Sequence, residues 1–510
     1  MAHVHAPIAI VGAGPVGLSM ALGLAVHGVR SVLVERHHRT SERSKAPAIQ
    51  QRTREVFRQW GVEDRFLEAG VLRRTLTLNA AAAGRRPLAS IDMSELDREA
   101  DRPGLLVLEQ SETERLLLEA VRETGLCDLR FDTEAVRLRQ DRDGATLSCR
   151  RNGPEYSLDA AFVVGCDGAD SFVRDALGLP FEGFTYAIRP MLADVRITDE
   201  RDQLPWPRIH NSRGGVTAAL RLSDGLWRII RLERGDPEKD DSVPDDEIEA
   251  RVAETLGGGG CRIEWANRFR IHLRSAPRFR VDRVLLAGDA AHVHSPAGAL
   301  GMNAGIQDAH NLAWKLAAVL DGGDAGRLLD AYDIERRDVV VESVSGYADV
   351  LTKVFLQAPA VVRAAAFVLL RLCLAIPPVR RRMLRRATMI DLGYQDSPLL
   401  DSRERAAGVR LPNPLLRSHE ATHVRLYDLL PNGPAILDVA EHRDAGTALP
   451  LERVIRIGRG GYHDGSGLLR KLLGGRDGWI VVRPDRHVAL ARNTADGLGA
   501  SVHRALGTQA

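Results

Sequence analysis

The chain opens on an unbroken apolar run, Ile8-Ala9-Ile10-Val11, followed by the small residues Gly12-Ala13-Gly14-Pro15-Val16-Gly17 and a longer apolar stretch over 18–27. A short apolar run ended by glycine reads as a buried strand, and the stretch after the bend reads as a helix. Residues 29–34 predict a second strand, ending at Glu35. The same order returns twice. Phe162-Val163-Val164-Gly165 predicts a strand that breaks at Asp167-Gly168, with a helix from about Ser171. Val284-Leu285-Leu286-Ala287 predicts another, breaking at Gly288-Asp289 into a Gly/Pro/Ser/His loop. From about Gly305 the pattern becomes helical, with Ile306, Leu312, Ala313, Leu316 and Leu320 on one face.

Between these units the pattern is that of sheet. Weak alternation over 72–93 predicts strands that leave the first sheet for a second layer, and 105–109 returns from it to a helix starting near Gln110. Residues 129–138 and 145–151 predict a hairpin around Asp141-Arg142-Asp143-Gly144. Strands are predicted at 191–197, 215–222 and 227–232, then an acidic loop and helix over 237–256, with Gly257–Gly260 as a hinge-like run. Residues 330–343 continue as helix.

The most apolar region, 354–378, is interrupted by Pro359, Arg363 and Arg371, and no run in it reaches the roughly 20 residues of a membrane span. Arg380, Arg381, Arg382, Arg385 and Arg386 follow it. A buried or dimer-facing helix bundle is expected there in preference to an amphipathic helix on a membrane surface. Past Tyr394 the composition resets. Pro412, Pro414, Pro431 and Pro434 mark loops, 435–439, 454–457 and 479–483 predict strands, and 467–473 predicts a helix.

At 510 residues the chain exceeds a single core and implies two to four domains. A net charge of +2 supplies no field for nucleic acid. Five scattered cysteines without a CxxC point to a reducing compartment and away from zinc or a dithiol centre. The N-terminal residues lack a basic region and a long apolar core, so a cytoplasmic protein is expected.

The first bend carries chemistry. GxGxxG between a strand and a helix, with an acid about 20 residues on, is the dinucleotide fingerprint. Gly12 makes the tight turn, Gly14 admits a pyrophosphate, Gly17 lets helix and strand pack closely, and Glu35 accepts from the adenosine ribose hydroxyls. The fingerprint does not separate FAD from NAD.

The later motifs do. Gly288-Asp289-Ala290-Ala291-His292, Pro296, Gly301-Met302-Asn303 and Gln307-Asp308-Ala309, in that order, resemble the second flavin motif of the class A flavoprotein aromatic hydroxylases, the p-hydroxybenzoate hydroxylase fold. Asp167-Gly168 resembles the same family's DG motif, and Tyr332-Asp333-Ile334-Glu335-Arg336-Arg337 is also family-like. The ending from Trp479 is similar to the C-terminal thioredoxin-like domain of the phenol and polyketide hydroxylase branch, although it contains no cysteine, which excludes thiol chemistry there.

The resemblance implies an α/β fold: a Rossmann-type (GR2) FAD-binding domain over 1–185 and 280–345, with part of the substrate layer at about 72–104. It further implies a β-sheet substrate domain over 186–279, a helical linker over 346–395 and a thioredoxin-like domain over 396–510. FAD would be held by Gly12, Gly14, Pro15, Val16, Gly17, Glu35, Arg36, Arg43, Gln110, Val136, Asp167, Gly288, Asp289, Pro296, Gly301, Met302 and Asn303. In this scheme Asp289 bonds the ribityl chain, the backbone of Gly301-Met302-Asn303 borders the pyrimidine edge, and Val136 offers its backbone to adenine. Arg43, and less so Lys45, would meet the pyrophosphate. Arg174 would steer the phosphates of NAD(P)H or pair with Asp170. His292 and His294 have no completed ligand set and are expected to be structural, so no metal is expected. Leu300 departs from the family pattern by removing a polar side chain near the ring. No catalytic acid or base is evident: His210, Asn211 and Arg213 are polar, but a surface loop explains them equally.

The implied reaction is an FAD-dependent monooxygenation consuming NAD(P)H and O2, in which a flavin C4a-hydroperoxide hydroxylates a phenolic or polycyclic, polyketide-like aromatic molecule. The partners are then the aromatic substrate, O2 and NAD(P)H, with no nucleic acid and no integral membrane segment, in a monomer or homodimer. A Baeyer–Villiger-type or decarboxylating oxygenase on the same scaffold, a membrane-associated flavin reductase of isoprenoid lipids and a non-catalytic flavin-binding protein remain open.

Overall fold

The structure is a computed structural model that describes residues 3–40, 47–80, 89–212, 215–235, 242–296, 298–400, 404, 406–440, 454–494, 498–499, 502–503 and 507. The three strand–bend–helix units build its largest sheet. His3–Val11 lies between Ser31–Val34 and Glu155–Gly165, parallel to both. Cys127–Arg130 extends the parallel sheet beyond Ser31–Val34, and Val284–Leu286 beyond Glu155–Gly165. Ile8, Ala9, Ile10, Val163, Val164 and Leu285 are fully buried, as expected of parallel strands covered on both faces. Register places Val11 beside Val34 and Gly165, and Gly165 beside Leu286, so the strands end along one edge. Ligands bind at that carboxyl edge in open α/β sheets.

Helix Pro15–Val26 packs against helices Gln110–Thr124 and Gly301–Leu320. A β-carbon on Gly23 would lie 3.0 Å from that of Ala313, so this glycine sets the close approach. The predicted hairpin forms from Glu134–Gln140 and Ala145–Arg150, and the Asp141 carboxylate accepts from the amides of Asp143 and Gly144 in its turn. The first strand is shorter than predicted, because 131–133 separates it from Cys127–Arg130.

The second sheet has seven strands, in the order Arg262–Arg268, Ile188–Arg196, Leu226–Arg234, Gly215–Ser223, Arg208–Ser212, Thr75–Ala80 and Ala89–Asp92. Segment 72–93 therefore does reach this layer, although Val71–Arg73 pairs back with Leu105–Val107. Met191, Ala193, Val195, Ala219, Trp227 and Ile229 pack on helix Asp245–Leu256. The two-residue period turns Leu192, Asp194, Ala218, Leu220, Arg228 and Ile230 to the opposite face. On that side the turn Thr352–Gln357 lies against strands Gly215–Ser223 and Leu226–Arg234.

The linker departs from expectation. Helix Ala325–Asp338 gives way to wider turns at Val339–Ser345 and Thr352–Gln357, on either side of Gly346–Leu351. Helices Ala360–Ala375 and Pro377–Ala387 then meet at 109°. Of the two alternatives, the single chain does not form the buried one: Val361 is 81% exposed and Val368, Leu369 and Leu372 about 60%. The basic run turns inward instead. Arg380 binds Glu95 at 2.5 Å, Arg381 and Arg385 both bind the buried Glu99, and Arg386 faces Asp391 at 3.6 Å. Among the described residues no single helix is long and apolar enough to cross a membrane.

In the C-terminal unit Ala435–Ala440 is parallel to Val454–Gly458 and antiparallel to Gly478–Val482, which pairs with Val488–Arg492. The turn of this last hairpin enters the flavin-motif helices. Arg483 grips Glu335 through two bonds of 2.6 and 2.9 Å, and Lys315 donates to the same carboxylate at 2.6 Å. Asp485 accepts from Arg483, Asn311 and Trp314. Arg52 donates to the Asp485 carbonyl at 2.7 Å. The ionic side chains of Lys315, Glu335, Arg483 and Asp485 are fully buried. Burial alone would raise the Glu335 carboxyl, but the charges of Arg483 and Lys315 overcome it and hold the group at about 2.

Glu335→Gln would leave two buried cations facing a neutral amide, and a loss of about 3–5 kcal/mol of stability is expected in denaturant melts. A depressed carboxyl stabilises the fold above its unfolded value of about 4.3 and loses that contribution as pH falls through about 2. The wild type should therefore weaken over that acid window, and the variant should show a shallower decline.

Candidate functional site

Three bends meet at the carboxyl edge of the parallel sheet. Gly12 holds a φ of +103°, and a β-carbon there would lie 2.6 Å from the Cys166 carbonyl oxygen. A β-carbon on Gly17 would sit 1.9 Å from the Gly12 oxygen. Gly14 differs: nothing lies within 4 Å of the space its β-carbon would take. The fingerprint glycines thus divide into two that hold the bend against protein and one that opens outward. Pro15 begins the helix, where its missing N–H sacrifices no bond, and the first turn carries no acid. The open turn suits an anionic oxygen.

Val16 locks the first bend to the third. Its Cγ2 lies 2.7 Å from where a β-carbon on Gly288 would be and 2.5 Å from one on Gly305. The second bend joins them through the Cys166 amide, which donates to Val11 at 2.8 Å, and the Gly165 carbonyl, which accepts from Ala287 at 2.9 Å.

Glu35 ends the second strand and splits its carboxylate, one oxygen accepting from the Ala13 amide at 2.8 Å and the other from His37 at 2.9 Å. Arg36 beside it is exposed. The Glu35 carbonyl accepts from Thr133, which brings the start of strand Glu134–Gln140 alongside. In that strand the register passes from Arg137 to Ala135 and skips Val136, a bulge that leaves its peptide groups out of the ladder. Asp167 accepts from the Ser171 hydroxyl at 2.6 Å and the Val173 amide at 3.0 Å. Burial raises its carboxyl above the ordinary range, against the pull of those bonds. Helix Phe172–Ala176 starts where predicted, with Ser171 as its cap.

Arg174 does not make the expected pairing within its own turn. It is buried, donates to the carbonyls of Ala169 and Ala290 and to Asp175, and covers the Phe181 ring, so it staples the second bend to the third. Asp170 does not pair with it.

In the third bend Asp289 is exposed at the rim, while the buried anchor is Asp308. Asp308 accepts from the Gly288 amide at 2.9 Å, His292 Nε2 at 2.7 Å and Arg336 Nε at 2.6 Å. His294 stacks parallel to His292 at 6.1 Å, and burial together with its neighbour lowers its pKa to about 4. The helix begins at Gly301, four residues before the predicted start, because glycine at 301 and 305 hides the first turn from an apolar pattern. No side chain caps it and no acid lies in its first turn, so no side chain occupies the first-turn amides at 301–303. The side chain of Asn303 turns into the protein. Its oxygen accepts from the Gln50 amide at 2.8 Å, and its nitrogen donates to the carbonyls of Ala48 and Ala299. Leu300 packs with Val339, Val344 and Ala348, so it does not line the ring position. Pro296 is exposed in the same loop, and Met302 is half-buried against the main core.

Gln110 is the first residue of its helix and donates to Glu114 at 2.8 Å. Its neighbour Glu109 is raised by burial and by the negative charge of Asp194, which binds Arg228 on the inner face of the seven-stranded sheet. His210 pairs with Thr217, whose hydroxyl donates to Glu254, so it lies on the outer face, toward helix Asp245–Leu256. Arg43, Lys45 and Arg213 fall outside the described residues. Sequence reasoning passed over Asp308 and Arg336 as anchors, although both stand inside motifs it quoted. A cavity of about 580 Å³ lined by His463, Asp464, Arg470 and Lys471 lies on the C-terminal unit and takes no part in this site.

Interlocked glycine bends at the edge of a parallel sheet, an acid on the second strand and an adjoining mixed-charge sheet face define a dinucleotide-binding flavoprotein. The FAD binding domain family matches residues 5–346, and the chain belongs to that family, among its class A aromatic hydroxylases and monooxygenases. It is 32% identical to rifampicin monooxygenase of Streptomyces venezuelae over 493 residues, 95% of each chain. It superposes on OxyS anhydrotetracycline hydroxylase from Streptomyces rimosus with a TM-score of 0.81, at 28% identity, over 99% of this chain and 100% of that one. A TM-score of 0.79 relates it to aklavinone-11 hydroxylase, solved with FAD and aklavinone, at 25% identity over 99% and 100%.

The glycines make opposite predictions. Gly14→Val fills empty space, so the variant should melt like the wild type but lose bound flavin, read as the ratio of visible to ultraviolet absorbance. Gly17→Ala collides with the Gly12 carbonyl, so it should lose both flavin and thermal stability.

Proposed function

We propose that the chain is an FAD-dependent monooxygenase that consumes NAD(P)H and O2 and hydroxylates a phenolic or polycyclic aromatic, polyketide-like small molecule. The observation that carries the reading is the interlock of three glycine bends at the carboxyl edge of the parallel sheet, with Gly14 opening outward; Leu192, Ala218, Leu220 and Ile230 give the second sheet an apolar face for an aromatic substrate. Relatives named for rifampicin, anhydrotetracycline and aklavinone support the substrate class.

The residues fit FAD. Gly14, Pro15 and Val16 of the first helix turn would flank the pyrophosphate, the N–H groups of Gly14 and Val16 supplying donors, with Gly12 and Gly17 behind them. Glu35, with Arg36 beside it, would receive the ribose hydroxyls, the Val136 bulge would offer its backbone to adenine, and Arg43, outside the described residues, is assigned to the pyrophosphate by the family resemblance. Asp289, after Gly288 in the third bend, would bond the ribityl chain, Asp167 would act through a ribose or backbone network, Gln110 would contact the flavin side, and Pro296 closes the same loop as the Gly301–Asn303 turn. The amides of Gly301, Met302 and Asn303, at the positive end of a 20-residue helix, favour negative charge on the pyrimidine edge. Bound FAD supplies electron transfer from NAD(P)H and activation of O2. The chain orients the ring, excludes water from it and stabilises its charge, and needs no nucleophile of its own. Residues 1–185 and 280–345 act as the cofactor domain, 186–279 as the substrate sheet, 346–395 as linker and 396–510 as a thioredoxin-like buttress.

Purified protein should carry or take up FAD, and a matching aromatic substrate should raise NAD(P)H oxidation and O2 uptake several-fold, yielding a product heavier by one oxygen atom. Protein that FAD cannot reconstitute, or turnover without oxygen in the product, would reject the reading.

A further inference from the structure

Helix Ala360–Ala375 is built inside out. Val361, Val362, Val368, Leu369, Leu372 and Ile376 are each at least half exposed, whereas Arg363 is 2% exposed and donates to the Ala358 carbonyl. The outward positions follow helical spacing and form one continuous stripe. A surface helix facing water shows the reverse arrangement, and an apolar stripe of this size marks a contact surface.

Charge identifies the contact. From Thr352 to Thr388 the chain has eight basic residues and no acidic one. Four of the arginines are spent on Glu95, Glu99 and Asp391, which anchors helix Pro377–Ala387 to the body of the protein. Arg371, on the stripe's own helix, and Arg382, on the adjoining one, remain exposed. A second copy of the chain would bring the same arginines together, with no carboxylate on the helix to receive them. An anionic surface with an apolar interior satisfies both the stripe and the arginines. We propose that this helix lies in the interface of an anionic phospholipid bilayer, held parallel to it by the 109° bend into its anchored neighbour. The helix sits against the Arg208–Ser212 and Ala89–Asp92 strands, so the contact lies beside the substrate sheet. The proposal is independent of the oxygenase reading.

The test is co-sedimentation of the FAD-loaded full chain with vesicles of phosphatidylglycerol and phosphatidylcholine, against phosphatidylcholine alone. The wild type should favour the anionic vesicles. Arg371→Gln and Arg382→Gln should each weaken that binding about fivefold, the equivalent of about 1 kcal/mol per basic residue at the surface. Leu369→Asp/Leu372→Asp should abolish it with flavin content and melting unchanged, since both side chains point to solvent. Absence of vesicle binding, binding indifferent to these substitutions, or a wild-type dimer that the double variant converts to monomer would overturn the proposal.

Discussion

The side chain of Val16 fills space that exists only because Gly288 and Gly305 lack β-carbons. Nearly three hundred residues separate the two bends in sequence, yet neither can shift without the other, because an isopropyl group in a close-packed interior has nowhere to go. The bends are therefore fixed by packing among parts that face protein, and Gly14 is free to open outward because Gly12 and Gly17 are not.

The same reasoning explains why so much charge is buried behind the third bend. Asp308 fixes the Gly288 amide and is itself fixed by His292 and Arg336, while Glu335, next in sequence to Arg336, is held by Lys315 and by Arg483 of the C-terminal unit. Burying ions gives little net stability over an apolar core, but every member here has its partner, and a shifted helix would strand several charges at once. The C-terminal hairpin is in this sense part of the flavin scaffold. It has no cysteine with which to act alone, and its turn residues, Arg483 and Asp485, are spent on helices that shape the cleft.

The nucleotide sheet was legible because strand, glycine and helix follow one another in local sequence, and three repeats of that order overdetermine it. The placement of Glu35, Asp167 and Gly288 at one edge followed from the same pattern. The roles of individual polar residues did not. Arg174 was read from its neighbours in sequence, but its partners are carbonyls at Ala169 and Ala290, one of them more than a hundred residues away. Asn303 and Leu300 sit in a motif associated with the flavin, yet both side chains turn inward, and no spacing rule reports which way a loop side chain points. Asp308 went unremarked as an anchor because a carboxylate inside an apolar helix shows its purpose only when the amide and cations it serves arrive from elsewhere.

The linker shows the limit of hydrophobicity as a guide. An apolar run flanked by arginines was read as a buried or dimer-facing bundle, since covered surface is where apolar residues usually go. In the fold Arg380, Arg381 and Arg385 of the second helix pair with Glu95 and Glu99, while the first helix, across the bend at Ile376, buries Arg363 and turns its valines and leucines out. Apolar pattern alone does not say which side of a helix faces water when charge pairing dictates the orientation of its neighbour.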